Sequence, residues 1–123
     1  MKCIRTNTQL INTEEINLIE VEKVNDYLKV SILKKEKFKY KAIEIDKKYS
    51  SISEFDPEFS KNYFNIDNNR YVKINKIMMI ERKLVQETVQ TIDITIHFTS
   101  NEPLIFRANN GKFDELTKRM YDY

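Results

Sequence analysis

Between Thr91 and Thr99 the chain alternates without a break, with Ile92, Ile94, Ile96 and Phe98 on one side and Asp93, Thr95, His97 and Thr99 on the other. A period of two marks an extended strand with one dry and one wet face. The same pattern runs from Tyr27 to Leu33, where Leu28, Val30 and Ile32 alternate with Lys29 and Ser31. Further stretches at 2–6, 16–22, 36–45, 71–74, 77–83 and 103–108 are rich in the β-branched and aromatic residues that suit a pleated surface, and they predict more strands.

Helical periodicity is rarer. GKFDELTKRMY at 111–121 places Phe113, Leu116 and Met120 on one helical face, behind an Asn109-Asn110 pair able to cap it. A weaker pattern of Tyr49, Ile52 and Phe55 follows Asp46 and stops before Asp56-Pro57, because proline disfavours helix for the residue before it. Gly111 is the only glycine, so turns fall to residues such as Asn25-Asp26 and Asn68-Asn69, which tolerate positive φ. A faint internal echo also appears: INLIE at 16–20 and IMMIE at 77–81 share I-x-x-I-E, and each precedes two further strands and a helical stretch. The order predicts two β-β-β-α units. With no linker or low-complexity stretch, residues 1–123 are expected to form one β-rich domain of α+β class, with antiparallel sheets making a small, partly open barrel and a C-terminal helix.

Composition narrows the function classes. With 41% hydrophobic and 33% charged residues, the 123-residue chain can bury one core and belongs with globular rather than disordered sequences. No run approaches the roughly 18 apolar residues of a membrane span, and the start carries no signal-peptide pattern. The lone Cys3 permits no internal disulfide, so the cytoplasm is the expected compartment and no membrane is expected as a partner. The net charge of +2 is unevenly spread: residues 23–48 carry 9 basic and 4 acidic groups, and 70–83 carry 5 and 1, with acidic stretches between them. Two basic blocks that meet in space would attract phosphates, and two solvated faces would only aid solubility.

Catalytic constellations are missing from the sequence. His97 has no second histidine or cysteine at ligand spacing, so neither a metal nor a cofactor is expected. Cys3 has no adjacent histidine to activate it, and Glu20 and Glu22 share the polar face of a strand, where solvent exposure is expected. One glycine rules out a phosphate-cradling glycine loop. A non-enzymatic protein is the expectation.

What remains is surface. In KKEKFKYKAIEI at 34–45, read as one strand, Lys37, Lys39 and Lys41 share a face and Phe38, Tyr40 and Ala42 share the other. Ile43 and Ile45 then fall in the lysine phase, and a β-bulge near Ala42 would turn both apolar sets inward. Burial of Phe38 and Tyr40 is the expected arrangement. The alternative leaves them outside as stacking platforms among lysines, in the manner of single-strand binders. In NNRYVKINK at 68–76, Val72 and Ile74 are expected to face inward, leaving Tyr71 and Lys73 outside and Arg70 at the turn. The candidate nucleic-acid contacts are therefore Lys34, Lys35, Lys37, Lys39, Lys41, Asn68, Asn69, Arg70, Tyr71 and Lys73.

NYFNIDNNRYVKINKIMMIER at 62–82 resembles the signature segment of LytTR-type DNA-binding domains of bacterial response regulators. Counted from Phe64, Ile66, Val72, Ile74, Ile77 and Ile80 fall in register with that family, as do Lys76 and Glu81. INLIEVEKVNDYLKVSI looks like its opening hairpin and LIFRANNGKFDELTKRM like its last strand and closing helix. The resemblance implies a mostly antiparallel β domain. Where the family carries DNA-contacting His-Arg-Ser, this chain has Asp67, Asn68 and Asn69, and where it has Val-Ser-Arg-Arg, this chain has Ala108, Asn109, Asn110 and Gly111. Size and a Lys/Ile/Asn-rich composition are also similar to the PrgU-type regulators of Gram-positive conjugative plasmids, PUA-like β-barrel proteins proposed to act on RNA. That similarity implies post-transcriptional control of a surface-adhesin or transfer operon. Together the residues predict a nucleic-acid-binding regulator with RNA favoured over DNA, because stacking and polar edge contacts need less net charge than gripping a duplex. The alternative is a protein-interaction module or homodimer that touches no nucleic acid.

Overall fold

The structure is a computed structural model that describes residues 2–84, 91–100 and 102–123. The chain divides into two compact units, Met1–Lys73 and Ile74–Tyr123.

The first unit opens with a small antiparallel pair, β1 (Cys3–Arg5) and β2 (Leu10–Asn12), followed by a 3₁₀ turn at Thr13–Glu15. Its main sheet has five antiparallel strands in the order β5-β4-β3-β7-β6: β3 is Leu18–Val24, β4 Tyr27–Glu36, β5 Lys39–Glu44, β6 Tyr63–Asp67 and β7 Arg70–Lys73. Two single-turn helices, α1 (Ile52–Phe55) and α2 (Phe59–Asn62), join β5 to β6. The pairings Ile19↔Ile32, Val21↔Val30 and Ile19↔Tyr71 set one sheet face, because residues directly opposite in a ladder share a side. That face builds the core of this unit from Ile16, Ile19, Val30, Ile45, Tyr49 and Tyr63. Phe59 stacks on Tyr63 at 5.1 Å between ring centroids and meets Tyr71 edge-on at 5.0 Å, so the short helices are held by aromatic contacts rather than by their own length. On the opposite face Leu18, Leu33, Phe64 and Val72 are buried, and so is Ser31, which the alternation of β4 had placed with the wet residues.

All three two-residue hairpin turns in this sheet, at 25–26, 37–38 and 68–69, take positive φ at their first residue: Asn25, Lys37 and Asn68. Such turns match the right-handed twist of the strands they join. The two asparagine turns were expected. The third divides the predicted 36–45 strand, so KKEKFKYK is a hairpin and not one continuous edge. No bulge occurs at Ala42, which pairs in register with Leu33. The register shifts instead at Asn65/Asp67 in β6.

The second unit begins with a 3₁₀ turn at Ile74–Lys76 and has three antiparallel strands in the order β10-β9-β8: β8 is Ile77–Leu84, β9 Thr91–Phe98 and β10 Leu104–Asn109. Strand β9 alternates as expected, with Ile92, Ile94, Ile96 and Phe98 buried and the residues between them half-exposed. Helix α3 (Asn110–Asp122) follows, capped by the Asn109 side chain, which accepts from Lys112 N–H at 2.9 Å. Its Leu116 is fully buried, with Phe113 and Met120 half-buried on the same face.

The echo between INLIE and IMMIE therefore marks two antiparallel meanders, β3-β4-β5 and β8-β9-β10, each followed by helix. The protein is mainly β, with three antiparallel sheets and a C-terminal helix. No sheet closes on itself among the described residues. No helix is long and apolar enough to cross a membrane among the described residues.

Candidate nucleic-acid interface

Strands β4 and β5 pair Lys34 with Lys41, Lys35 with Tyr40 and Glu36 with Lys39, closing on the Lys37-Phe38 turn. One face of this hairpin end therefore carries Lys34, Glu36, Lys39 and Lys41, and the other carries Lys35 and Tyr40. Lys37 is not on the ridge with Lys39 and Lys41, because the turn removes it from the strand phase. Lys34 takes its place beside Lys41.

The reason that Ile43 shares a phase with these lysines is position along the strand. Ile43 pairs with Ile32 above the core, whereas Lys39 and Lys41 lie nearer the turn, and every β5 residue is exposed. A single strand can thus change from apolar to cationic on the same face without a bulge.

Phe38 is 98% exposed at the tip, and Tyr40 is 37% exposed. The expectation that both are buried is overturned: Phe38 is a turn residue with no sheet face to bury against, and Tyr40 lies on the exposed edge strand β5. A phenylalanine held in solvent and flanked by Lys37 and Lys39 is an aromatic platform inside a cationic ring. Lys34, Lys37, Lys39 and Lys41 are exposed and have no ion-pair partner among the described residues.

The second basic block is more constrained. Asn68 and Asn69 form the exposed turn before β7. The register shift at Asn65/Asp67 brings Asp67 opposite Arg70, and the carboxylate takes the guanidinium in a two-point pair, with Nε to Oδ1 at 2.7 Å and a second bond from the terminal nitrogen. Hydrogen bonding to Asp67 raises the Arg70 pKa above its usual value, against the opposing effect of burial, and the charges of Asp67, Tyr40 and Glu20 add to the rise. The Arg70 guanidinium also lies 6.0 Å from the Tyr40 ring centroid, so it links the turn at 68–69 to the face of the β4–β5 hairpin.

Tyr71 and Lys73 are not outside as predicted. Tyr71 lies opposite Ile19 on the core face and packs edge-on to Phe59. Lys73 turns its ammonium to the Thr13 carbonyl at 2.7 Å, while its backbone N–H donates to Asn17 at 2.9 Å. Neither is placed to lead a contact with a strand of nucleic acid. Val72 and Ile74 are buried, as the alternation required.

His97 sits on the outward face of β9 and meets the Glu81 carboxylate of β8, and Arg107 pairs with Asp93 at 3.2 Å on the same face. Cys3 is exposed in β1. Among the described residues no three of His, Cys, Asp or Glu gather in a way that could hold a metal ion.

Compared with known proteins, the chain matches no family model, no curated protein and no solved structure.

Proposed function

We propose that the chain is a non-enzymatic, cytoplasmic regulator of gene expression that binds nucleic acid through the β4–β5 hairpin, with RNA favoured over DNA. The observation that carries this reading is Phe38, almost wholly in solvent at the tip of a hairpin whose flanks supply Lys34, Lys37, Lys39 and Lys41. An apolar ring of that size exposed at a hairpin tip is costly to solubility unless something covers it. An unstacked base is the partner that suits both the ring and its cationic surround, because every base has a π-face and every linkage a negative charge. Duplex DNA offers no unstacked base to such a tip. The LytTR-type resemblance supports a nucleic-acid-binding scaffold without that family's DNA-contacting residues, the fainter resemblance in size and composition to PUA-like regulators of the PrgU type supports RNA, and with them goes the finer expectation of a small, partly open barrel.

Gel-shift titration with single-stranded RNA and with duplex DNA, each at 50 and 200 mM salt, tests the proposal. Single-stranded RNA is expected to bind more tightly, and Phe38→Ala to cost about 1–3 kcal/mol of that binding with no loss of thermal stability. Failure of both ligands to bind at the lower salt ends the reading.

A second reading, an interaction module or homodimer, draws on Met78, Met79 and Ile105, which are 61%, 43% and 60% exposed in the β8–β10 sheet. In that case substitution of these three residues abolishes function, while Lys39→Glu and Lys41→Glu leave it intact.

A further inference from the structure

The β1–β2 turn is fastened to the end of β5 by an unusual number of polar contacts. Gln9 donates from Nε2 to the Glu44 carbonyl at 2.9 Å and accepts from the Asp46 N–H at 2.7 Å, thereby extending the ladder beyond Glu44 with a side chain. Thr8 donates its hydroxyl to Asp46 Oδ2 at 2.8 Å. The Thr6 hydroxyl accepts from the N–H groups of Thr8 and Gln9, and Thr6 N–H donates to the Gln9 carbonyl at 2.9 Å, which fixes the turn itself. This network lies mostly at the surface, while Ile4 and Ile11 of the same strand pair pack against the core of this unit. What it shapes is a pocket of about 490 Å³ lined by Arg5, Thr6, Asn7, Asp46 and Lys47.

The lining has a distinct chemistry. Arg5 and Lys47 bring two cations to the lining and Asp46 one carboxylate. Arg5 has no ion-pair partner among the described residues, and Lys47 is steadied over the Tyr49 ring at 5.3 Å. Thr8 holds Oδ2 of Asp46, which leaves Oδ1 as an oriented acceptor. A bare anion would be repelled by that carboxylate, and a bare cation by the two bases. A ligand bearing a phosphate and a hydroxyl donor a few ångströms apart satisfies all three groups, and a ribonucleotide is such a ligand. A carboxylate that accepts from a ribose hydroxyl is also a physical means of telling RNA from DNA, since the 2′-hydroxyl is the group that differs.

We infer that this pocket binds one ribonucleotide unit, with its phosphate on Arg5 and Lys47 and its 2′-hydroxyl on Asp46. The inference rests on the nucleic-acid reading only for the source of that unit, which is either a nucleotide of a bound RNA strand or a free nucleotide. None of Arg5, Asp46 and Lys47 stood out in the sequence, because Arg5 lies some forty residues from the other two and the Gln9 bonds to Glu44 and Asp46 join the two stretches.

The test is calorimetric titration of the full chain with AMP and with 2′-deoxy-AMP, beside fluorescence anisotropy with a single-stranded oligoadenylate RNA. AMP is expected to bind tenfold or more tightly than its deoxy analogue, the advantage of a hydrogen bond to a charged group. Asp46→Ala should collapse that ratio, and the paired change of Arg5→Gln with Lys47→Gln should weaken both nucleotides alike, with circular dichroism confirming the fold of each variant. Equal binding of the two nucleotides, no binding of AMP, or binding untouched by the paired change overturns the inference. If the RNA strand binds through the hairpin while AMP does not bind, the pocket assignment fails and the nucleic-acid reading stands. If AMP binds as described while the strand does not, the pocket takes a free nucleotide and the nucleic-acid reading fails.

Discussion

Tyr49 is 1% exposed, yet its hydroxyl meets no hydrogen-bond partner among the described residues. The ring itself is well placed, edge-on to Phe55 at 5.8 Å, and the backbone bridges to Leu28. Burial raises the hydroxyl pKa above its ordinary value, with the Glu54 charge adding to the rise, so the neutral form is the one the fold tolerates. A raised pKa in the folded state means that this contribution is complete below the unfolded value of about 10 and is lost as the pH climbs through the folded one. At neutral pH the cost is simpler, because an unpaired buried hydroxyl forfeits its hydration without return, about 1–3 kcal/mol. Tyr49→Phe keeps the ring and removes the oxygen. Its melting temperature at pH 7 is expected to rise by about 4 °C, corresponding to a gain of about 1 kcal/mol. A fall would show that the hydroxyl is paired after all.

At the scale of elements, the C-terminal helix depends on its first turn. Asn109 accepts from the Lys112 N–H, and α3 then runs thirteen residues with Leu116 fully buried. Asn109→Ala removes the cap and should cost about 1 kcal/mol in denaturant unfolding, whereas Asn110→Ala, one residue inside the helix, should cost less than half of that. Equal losses would remove Asn109 from the capping role. This element was legible in the sequence because capping and periodicity agreed. The strands of β9 and the asparagine turns were legible for the same reason: Ile92, Ile94 and Ile96 report a face directly, and Asn25 and Asn68 advertise positive φ. The β4–β5 hairpin was not. Its turn uses Lys37 at φ 57°, a conformation that costs a non-glycine residue roughly 1–2 kcal/mol and that nothing in the residue type announces. With the turn hidden, Phe38 was assigned to a strand face and to the core. Tyr71 was misplaced for a related reason, since alternation alone does not say which face of β7 the aromatic cluster of Phe59 and Tyr63 will cover.

For the whole molecule the decisive quantity is charge, and the net value of +2 hides its distribution. The groups able to release counterions are those exposed and not already committed. Lys34, Lys37, Lys39 and Lys41 qualify, whereas Arg70 is held by Asp67 and Lys73 by the Thr13 carbonyl. Four phosphate contacts with a single strand predict a slope of log K against log salt of about −2.8, or roughly a 50-fold loss of affinity between 50 and 200 mM. Lys39→Gln with Lys41→Gln should lower the slope to about −1.4, because two contacts are gone. Arg70→Gln should leave the slope unchanged, since a guanidinium neutralised within the fold has no counterion to release. The three slopes, measured on one RNA by anisotropy, separate a hairpin that grips phosphates from a surface that is merely basic. In the second case the slope would follow net charge, and Arg70→Gln would lower it half as much as the paired lysine change does.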